Sequence, residues 1–171
     1  LKGISRAESM EILLRKGGVS LSDSEKAHYM KIKNDWYLEL VDTMASDEIL
    51  PGVVNFLKEV KGTGRKIALG SASKNAVRIL TKVGILDLFD AVIDGTKVTR
   101  GKPDPQTFTL GAEATGAKPS ECVVFEDAVA GVEAALAGGM YAIGVGEPAV
   151  LSKAHKVIPG FEGVGVDVLK F

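Results

Sequence analysis

The stretch CVVFEDAVAGVEAALA, residues 122–137, joins a strand-like apolar run to a helix-like run of small and apolar residues. The apolar residues 122–125 predict a buried strand, and residues 129–137 predict the helix that follows it. Glu126 and Asp127 stand at the junction. Since a strand followed at once by a helix is the repeating unit of parallel sheets, this stretch predicts an α/β fold.

The same alternation extends in both directions along the chain. We predict strands at 66–70, 91–93 and 141–145, helices at 53–60, 76–83 and 107–115, and a short edge strand at Val157 and Ile158. Continuous apolar strands with amphipathic helices between them predict a parallel sheet covered on both faces, in three layers. Ligands of such sheets bind beyond the carboxyl ends of the strands, so we expect the loops after Leu69, Ile93 and Phe125 to face one crevice.

Residues 1–47 have a different, all-helical pattern. Two Ser-x-x-Glu capping boxes, at 5–8 and 22–25, predict two helix starts. The second helix carries an apolar face at helical spacing, which consists of Tyr29, Ile32, Trp36, Leu40 and Met44. For Trp36 and Tyr37 the helical spacing favours a core position over stacking on a sugar. Pro51-Gly52 marks the change to the α/β pattern.

Composition excludes several classes of function. The 171 residues are 46% hydrophobic and 25% charged, with a formal net charge of −1, so no basic surface for nucleic acid is predicted. No apolar run reaches the roughly 20 residues that cross a bilayer, so we expect no membrane partner. A single cysteine, Cys122, is interpreted as a buried strand residue and fits a reducing, cytoplasmic location. We expect a monomer.

The loop GSASKNA, residues 70–76, follows the strand predicted at 66–70. Ser73 fits the N-cap of the next helix, which is a purely structural reading. The hydroxyls of Ser71 and Ser73 and the ammonium of Lys74 fit a phosphate site equally well by chemical type. The loop alone leaves both readings open.

Two further loops carry charge at predicted strand ends. Glu126 and Asp127 repel each other unless a cation lies near, so they fit a Mg²⁺ site, although Asp127 also fits a helix cap. Lys102 stands in the turn Gly101-Lys102-Pro103-Asp104-Pro105, where the prolines restrict the backbone. It fits either a solvated turn lysine or a cation that neutralises a phosphoryl group in the crevice.

The order of these loops resembles the second, third and fourth motifs of the haloacid dehalogenase superfamily of phosphotransferases, and the resemblance spans nearly the whole chain. Within the superfamily the chain is most similar to the β-phosphoglucomutases. The resemblance implies a Rossmann-like core at 48–171 and a helical cap that includes residues 1–47. It implies that Ser71 binds the transferred phosphoryl group, that Lys102 offsets its charge, and that Glu126 and Asp127 hold Mg²⁺.

The resemblance extends to a second phosphate and to the sugar. It implies a second phosphate grip made of Arg6, Ser73, Lys74 and Asn75, with a hydroxyl added by Ser9. Lys33 and Asn34 resemble cap residues that touch the sugar between the two phosphates. A phosphorylated sugar is therefore the expected partner, and the implied reaction interconverts β-glucose 1-phosphate and glucose 6-phosphate through a bisphosphate. A sugar-phosphate phosphatase and a noncatalytic phosphosugar-binding module are the alternatives.

The sequence departs from the superfamily at one motif. An Asp-x-Asp nucleophile motif on an apolar strand is implied before the helical segment, and none stands before residue 47. The implied strand lies centrally in the sheet, between the strands that end at Leu69 and Phe125. Either an N-terminal part is missing from this chain or the protein is a natural noncatalytic relative. We expect the chain by itself to be inactive.

Overall fold

A computed structural model describes residues 3–170. This described part of the chain contains six α-helices: α1 (Arg6–Gly17), α2 (Asp23–Thr43), α3 (Val53–Gly62), α4 (Ala76–Lys82), α5 (Gln106–Thr115) and α6 (Val129–Ala137). Within the same residues there are five strands: β1 (Ala68–Gly70), β2 (Ala91–Ile93), β3 (Val123–Glu126), β4 (Tyr141–Val145) and β5 (Lys156–Ile158). The fold is thus α/β, as predicted, and the helices at both capping boxes begin where the sequence placed them.

The two capping boxes form with their full set of reciprocal bonds. The Ser5 hydroxyl accepts from the Glu8 N–H, and the Glu8 carboxylate accepts from the Ser5 N–H at 3.0 Å. Ser22 and Glu25 repeat the pattern at the start of α2, with 2.8 Å from the Ser22 N–H to the Glu25 carboxylate. Each box satisfies backbone donors that the first helical turn leaves without a partner.

Every strand pairing among residues 3–170 is parallel. β1 pairs with β2, and β3, β4 and β5 pair in that order, so that Val157 and Ile158 lie in an edge strand as predicted. β2 and β4 have the predicted bounds, whereas β1 begins later than predicted, at Ala68, and β3 is shifted, since it begins at Val123 and includes Glu126. Cys122 therefore precedes the strand and is only half-buried, although burial raises the pKa of its thiol.

The core forms two layers, one on each face of the sheet. Ala142 of β4 packs in a cluster with α5 and α6, whereas the next residue, Ile143, packs in a cluster with Phe56 and Val60 of α3. Successive strand residues point to opposite faces, so the two clusters lie on opposite sides. Ala142 and Ile143 are both fully buried. Burial of an aliphatic side chain the size of Ile143 contributes about 1.5–3 kcal/mol.

A gap separates the two groups of strands. Among residues 3–170 no strand lies between β1 and β3, and a cavity of about 610 Å³ is lined by both of them and by α3 and α5. The side chains that line the cavity are mostly apolar, such as Leu69, Phe56, Phe108 and Val124. We call this space the strand gap. It lies between the strands that end at Leu69 and Phe125, where the resemblance implied a central strand.

Three residues of the apolar face of α2 are exposed, and the exposure of Trp36 contradicts its predicted core position, whereas Tyr37 is half-buried. Tyr29, Trp36 and Leu40 are 51%, 66% and 68% exposed, while Val41 is buried. Helical spacing identifies an apolar face but not the element that covers it. Here α2 meets the rest of the described chain through polar positions such as Asn34 and Asp42. No helix within residues 3–170 combines the length and hydropathy that crossing a bilayer requires.

The predicted boundary at residue 47 falls within a short 3₁₀ turn, Ser46–Glu48, between α2 and α3. The division into a cap that includes residues 1–47 and a core at 48–171 stays a prediction.

Candidate active site

A second cavity, of about 520 Å³, opens at the carboxyl ends of β1, β3 and β4. Its lining includes Ser71, Lys102, Glu126 and Asp127, so the four residues that the sequence placed on three separate loops face one space. Gly70, Phe125 and Phe161 line both this cavity and the strand gap. The two spaces are therefore neighbours, and the strand gap leads toward the four residues.

The loop after β1 is held by its own serines. The Ser71 hydroxyl accepts from the Ser73 N–H, and the Ser73 hydroxyl accepts from the Asn75 N–H, both at 3.1 Å. The Ser71 N–H donates to the Ile93 carbonyl at 2.8 Å, and the Gly95 N–H donates to the Ser73 carbonyl at 3.1 Å. These bonds fix the loop against the end of β2 and place the Ser71 side chain at the cavity.

The structural reading of Ser73 as an N-cap is wrong. The N-cap residue of α4 is Asn75, and no side chain caps this helix. The Ser73 hydroxyl instead bonds the N–H two residues ahead, in a serine turn, because the loop needs two more residues before helical geometry begins. Sequence spacing alone does not separate these two local bonds.

Lys102 is buried, which contradicts the reading of a solvated turn lysine. Its side chain is 5% exposed, and its ammonium lies 2.7 Å from a Glu126 carboxylate oxygen, Oε2. The ammonium also lies 3.5 Å from the Gly70 carbonyl and 4.5 Å from the centroid of the Phe108 ring. A charge taken out of water needs such partners, and here a carboxylate and an aromatic face supply them.

Glu126 uses both of its carboxylate oxygens. Oε2 accepts from Lys102, and Oε1 accepts from the Ala128 N–H at 3.1 Å. Gly131 makes room for it, since a Cβ at that position would lie 2.1 Å from the Glu126 carboxyl carbon. The carboxylate is thus fixed by a cation, a backbone donor and the bare backbone of α6.

Asp127 is exposed and lines the cavity beside Glu126. The N-cap residue of α6 is Ala128, with no side-chain cap, so the reading of Asp127 as that cap is wrong. Mg²⁺ prefers oxygen ligands and is commonly held by one or two carboxylates together with water and substrate phosphate. The Glu126–Asp127 pair fits such a partial set. Within residues 3–170 no group of three or more His, Cys, Asp or Glu side chains forms a complete one.

A second polar cluster joins the helical segment to the core. The Arg6 guanidinium and the Asn75 amide both donate to the side-chain oxygen of Asn34, at 2.5 and 3.1 Å. Arg6 is the first residue of α1, Asn34 lies in the middle of α2, and Asn75 precedes α4. Three of the predicted substrate-binding residues therefore meet, although 41 positions separate Asn34 from Asn75.

Of the other predicted substrate-binding residues, Ser73 lines the cavity beside Ser71, whereas three lie outside both groups. Lys33 is exposed, and its ammonium lies 4.8 Å from the centroid of the Tyr37 ring. Lys74 is exposed and Ser9 is half-buried, and neither lines the cavity. Their roles in substrate binding stay predictions.

Sequence reasoning missed two residues that shape the site. Phe108 packs beneath the Lys102 ammonium, and Gly131 admits Glu126. Phe108 lies six positions after Lys102, in α5, where an aromatic residue reads as ordinary core. Gly131 carried a usable signal, because a glycine inside a helix costs about 1 kcal/mol relative to alanine and so indicates a close approach.

The fold and the comparisons define the class of protein. A family model for haloacid dehalogenase-like hydrolases matches residues 3–139. The chain belongs to this family, which confirms the predicted family and fold.

Individual relatives include both a mutase and a phosphatase. The β-phosphoglucomutase of Bacillus subtilis is 39% identical over 160 residues, which are 92% of this chain and 71% of that protein. The fructose-1-phosphate phosphatase of Escherichia coli is 40% identical over 110 residues, which are 63% of this chain and 58% of that protein. A crystal structure of β-phosphoglucomutase from Clostridium difficile superposes with a TM-score of 0.95 at 38% identity, covering 99% of this chain and 77% of that one.

Proposed function

We propose that this protein transfers phosphoryl groups on a phosphorylated sugar and acts as a mutase that interconverts β-glucose 1-phosphate and glucose 6-phosphate. One observation carries the proposal: Ser71, Lys102, Glu126 and Asp127 line one cavity at the carboxyl ends of the strands. A hydroxyl, a cation and a carboxylate pair are the groups that hold a phosphoryl group during transfer. Similarity to two β-phosphoglucomutases supports the choice of reaction.

The roles follow from the chemistry of each side chain. The Ser71 hydroxyl donates to an oxygen of the transferred phosphoryl group, and the Lys102 ammonium offsets the charge on that group. Glu126 holds the ammonium in place, because their 2.7 Å contact is buried. Phosphoryl transfer spreads negative charge over the equatorial oxygens, so a fixed cation beside them lowers the barrier.

Mg²⁺ is the proposed cofactor, held by Glu126 and Asp127. When bound, it offsets phosphoryl charge and aligns the reacting oxygens. Asp127 is exposed to the cavity, whereas Glu126 is anchored by Lys102 and the Ala128 N–H. The two carboxylates therefore leave the remaining ligand positions to water, phosphate and a further part of the protein.

The proposed reaction also needs a nucleophile, and the strand gap indicates where it would lie. We propose that it is an Asp-x-Asp aspartate on an extended segment that fills the strand gap, because the gap is mostly apolar and adjoins the cavity. Such a strand would pair with β1 and β3 and deliver the residues that follow it beside Lys102. This chain spans 71% of the B. subtilis β-phosphoglucomutase.

The test restores an N-terminal segment with an Asp-x-Asp motif and follows β-glucose 1-phosphate by phosphorus NMR. Conversion to glucose 6-phosphate, dependent on Mg²⁺ and on a catalytic amount of sugar bisphosphate, is the expected result. Release of inorganic phosphate without glucose 6-phosphate would reject the mutase assignment. A Lys102→Met variant of the same protein is the negative control.

A sugar-phosphate phosphatase is the second candidate, because the E. coli fructose-1-phosphate phosphatase is 40% identical over its matched region. Arg6→Ala separates the candidates. A mutase needs a second phosphate grip to hold its bisphosphate while the sugar reorients, so it should lose most of its activity. A monophosphate hydrolase has no second phosphate to hold, and its turnover should change little.

A further inference from the structure

Asn34 occupies the centre of a three-residue contact that spans two parts of the molecule. Its side-chain oxygen accepts from the Arg6 guanidinium at 2.5 Å and from the Asn75 amide at 3.1 Å. An amide oxygen has two lone pairs, and two donors use both of them. All three side chains are half-buried, so the contact is neither fully solvated nor sealed.

From this contact we infer that Asn34 is the positioning residue of the second phosphate grip. Its amide oxygen accepts from both the Arg6 guanidinium and the Asn75 amide and so holds the two groups side by side. The inference rests on the proposed function, which assigns Arg6 and Asn75 to that grip. It differs from the resemblance, which implied that Asn34 touches the sugar.

Holding Arg6 matters because its side chain is long and flexible. An unrestrained arginine loses rotamer freedom when it binds a phosphate, and this loss weakens binding. A guanidinium already ordered by a neutral acceptor avoids much of the loss, and its planar donors match phosphate oxygens. Asn34 has the right charge for the task, since a carboxylate there would compete with the phosphate for Arg6.

A second contact between α2 and α4 offers a matched control. The Arg78 guanidinium bonds Asp42 through Nε–H to Oδ1 at 3.0 Å, and the Lys82 ammonium donates to the Asp42 carbonyl at 3.0 Å. Both side chains of the Asp42–Arg78 pair are more than 40% exposed. This contact joins α2 to α4, as the Asn34–Asn75 contact joins α2 to the N-cap residue of α4, and it does not touch Arg6.

The experiment measures binding of orthophosphate and of glucose 6-phosphate to this chain by NMR titration, read at the side-chain N–H signals of Arg6 and Asn75. Asn34→Leu, which removes the acceptor at similar size, is expected to weaken both ligands about tenfold, the effect of losing one charge-assisted bond. Asn34→Asp should weaken them at least as much. Asp42→Asn should stay within about twofold of wild type, because a partly exposed ion pair contributes little.

A double-mutant cycle tests whether Asn34 acts through Arg6. In an Arg6→Ala background, Asn34→Leu should weaken orthophosphate by less than about threefold, because its main partner is gone. Circular dichroism and the Tm confirm that each variant is folded. An equal tenfold loss in both backgrounds would overturn the inference, as would equal losses in Asp42→Asn and Asn34→Leu.

The two ligands separate this inference from the proposed function. If wild type binds orthophosphate but not glucose 6-phosphate, the sugar-phosphate assignment fails while the orthophosphate results still decide the role of Asn34. If Asn34→Leu binds orthophosphate like wild type, the role of Asn34 is refuted and the mutase proposal stands. Failure of wild type to bind either ligand refutes the grip and Asn34's role in it.

Discussion

Lys102 and Glu126 form a buried ion pair that joins the turn before α5 to the end of β3. The Lys102 Nζ lies 2.7 Å from the Glu126 Oε2, and the two side chains are 5% and 8% exposed. Neither charge has bulk water to stabilise it, so each depends on the other and on neighbouring dipoles. The pair therefore makes the geometry of the candidate site inseparable from the stability of the fold.

Removal of the Lys102 charge is expected to destabilise the protein strongly. Lys102→Met leaves Glu126 buried without its cation, which costs about 3–5 kcal/mol in the free energy of unfolding. Adding Glu126→Gln should restore much of that loss. Urea denaturation measures both. Lys31→Met, which breaks the exposed Lys31–Asp35 pair, should cost under about 1 kcal/mol, and an equally small effect at Lys102 would contradict the prediction.

Gly131→Ala should destabilise the protein even though alanine favours helices. The added Cβ would lie 2.1 Å from the Glu126 carboxyl carbon, so the carboxylate must leave Lys102 and the Ala128 N–H. Overpacking of this kind costs about 1–3 kcal/mol. Gly62→Ala in α3 is the control, because a Cβ there meets nothing within 4 Å. Urea midpoints should fall for Gly131→Ala and hold or rise for Gly62→Ala.

Asp90 is expected to make the thermal stability of the protein depend on pH in the acid range. The Ile67 N–H, at 2.9 Å, and then the Lys66 ammonium, at 3.0 Å, lower the pKa of the Asp90 carboxyl. Because the pKa of Asp90 is lower in the folded state than in the unfolded state, its ionised carboxylate stabilises the fold. This stabilisation is fully present above about pH 4 and is lost as the pH falls through the pKa of the folded state. The Tm difference between wild type and Asp90→Asn should therefore be largest near neutrality and shrink below about pH 4.

The control for Asp90 is Asp47→Asn, which changes an exposed aspartate in the turn between α2 and α3. All other carboxylates are common to wild type and variant, so their titration cancels in the difference. A Tm difference for Asp90→Asn that stays constant from pH 7 to pH 3 would refute the prediction.

The strand gap should bind an extended apolar peptide. A strand of about six residues spans roughly 20 Å, and β1 and β3 each offer it a parallel edge. A Val- and Ile-rich peptide with terminal lysines for solubility is expected to raise the Tm in a concentration-dependent way. The same peptide with a central proline lacks a backbone donor and should act weakly. Equal effects of the two peptides would show that binding does not use the strand edges.

Local signals in the sequence predicted the helices and most strands well. The capping boxes at Ser5 and Ser22 and the apolar runs at β3 and β4 specify their own conformation, so their positions follow from neighbouring residues. The prediction of Ser73 as an N-cap was wrong because its hydroxyl accepts from the Asn75 N–H in a serine turn that precedes the helix. The core position predicted for Trp36 was wrong for a different reason. The apolar spacing that includes Trp36 and Leu40 identifies a helix face but not the element that covers it.

The sequence predicted which residues form the candidate site, but it did not predict the contacts that they make. The order of Ser71, Lys102 and the Glu126–Asp127 pair at strand ends placed them near one another, because parallel strands end at the same edge. The burial of Lys102 against Phe108 and the meeting of Arg6, Asn34 and Asn75 depend on how helices pack. Such contacts between residues far apart in the chain leave no local pattern.

The strand gap also affects how the protein unfolds locally. β1 and β2 share no strand pairing with β3, β4 and β5 among residues 3–170, so neither group relies on the other for its ladder. Amide hydrogen exchange should therefore show a different level of protection in each group of strands.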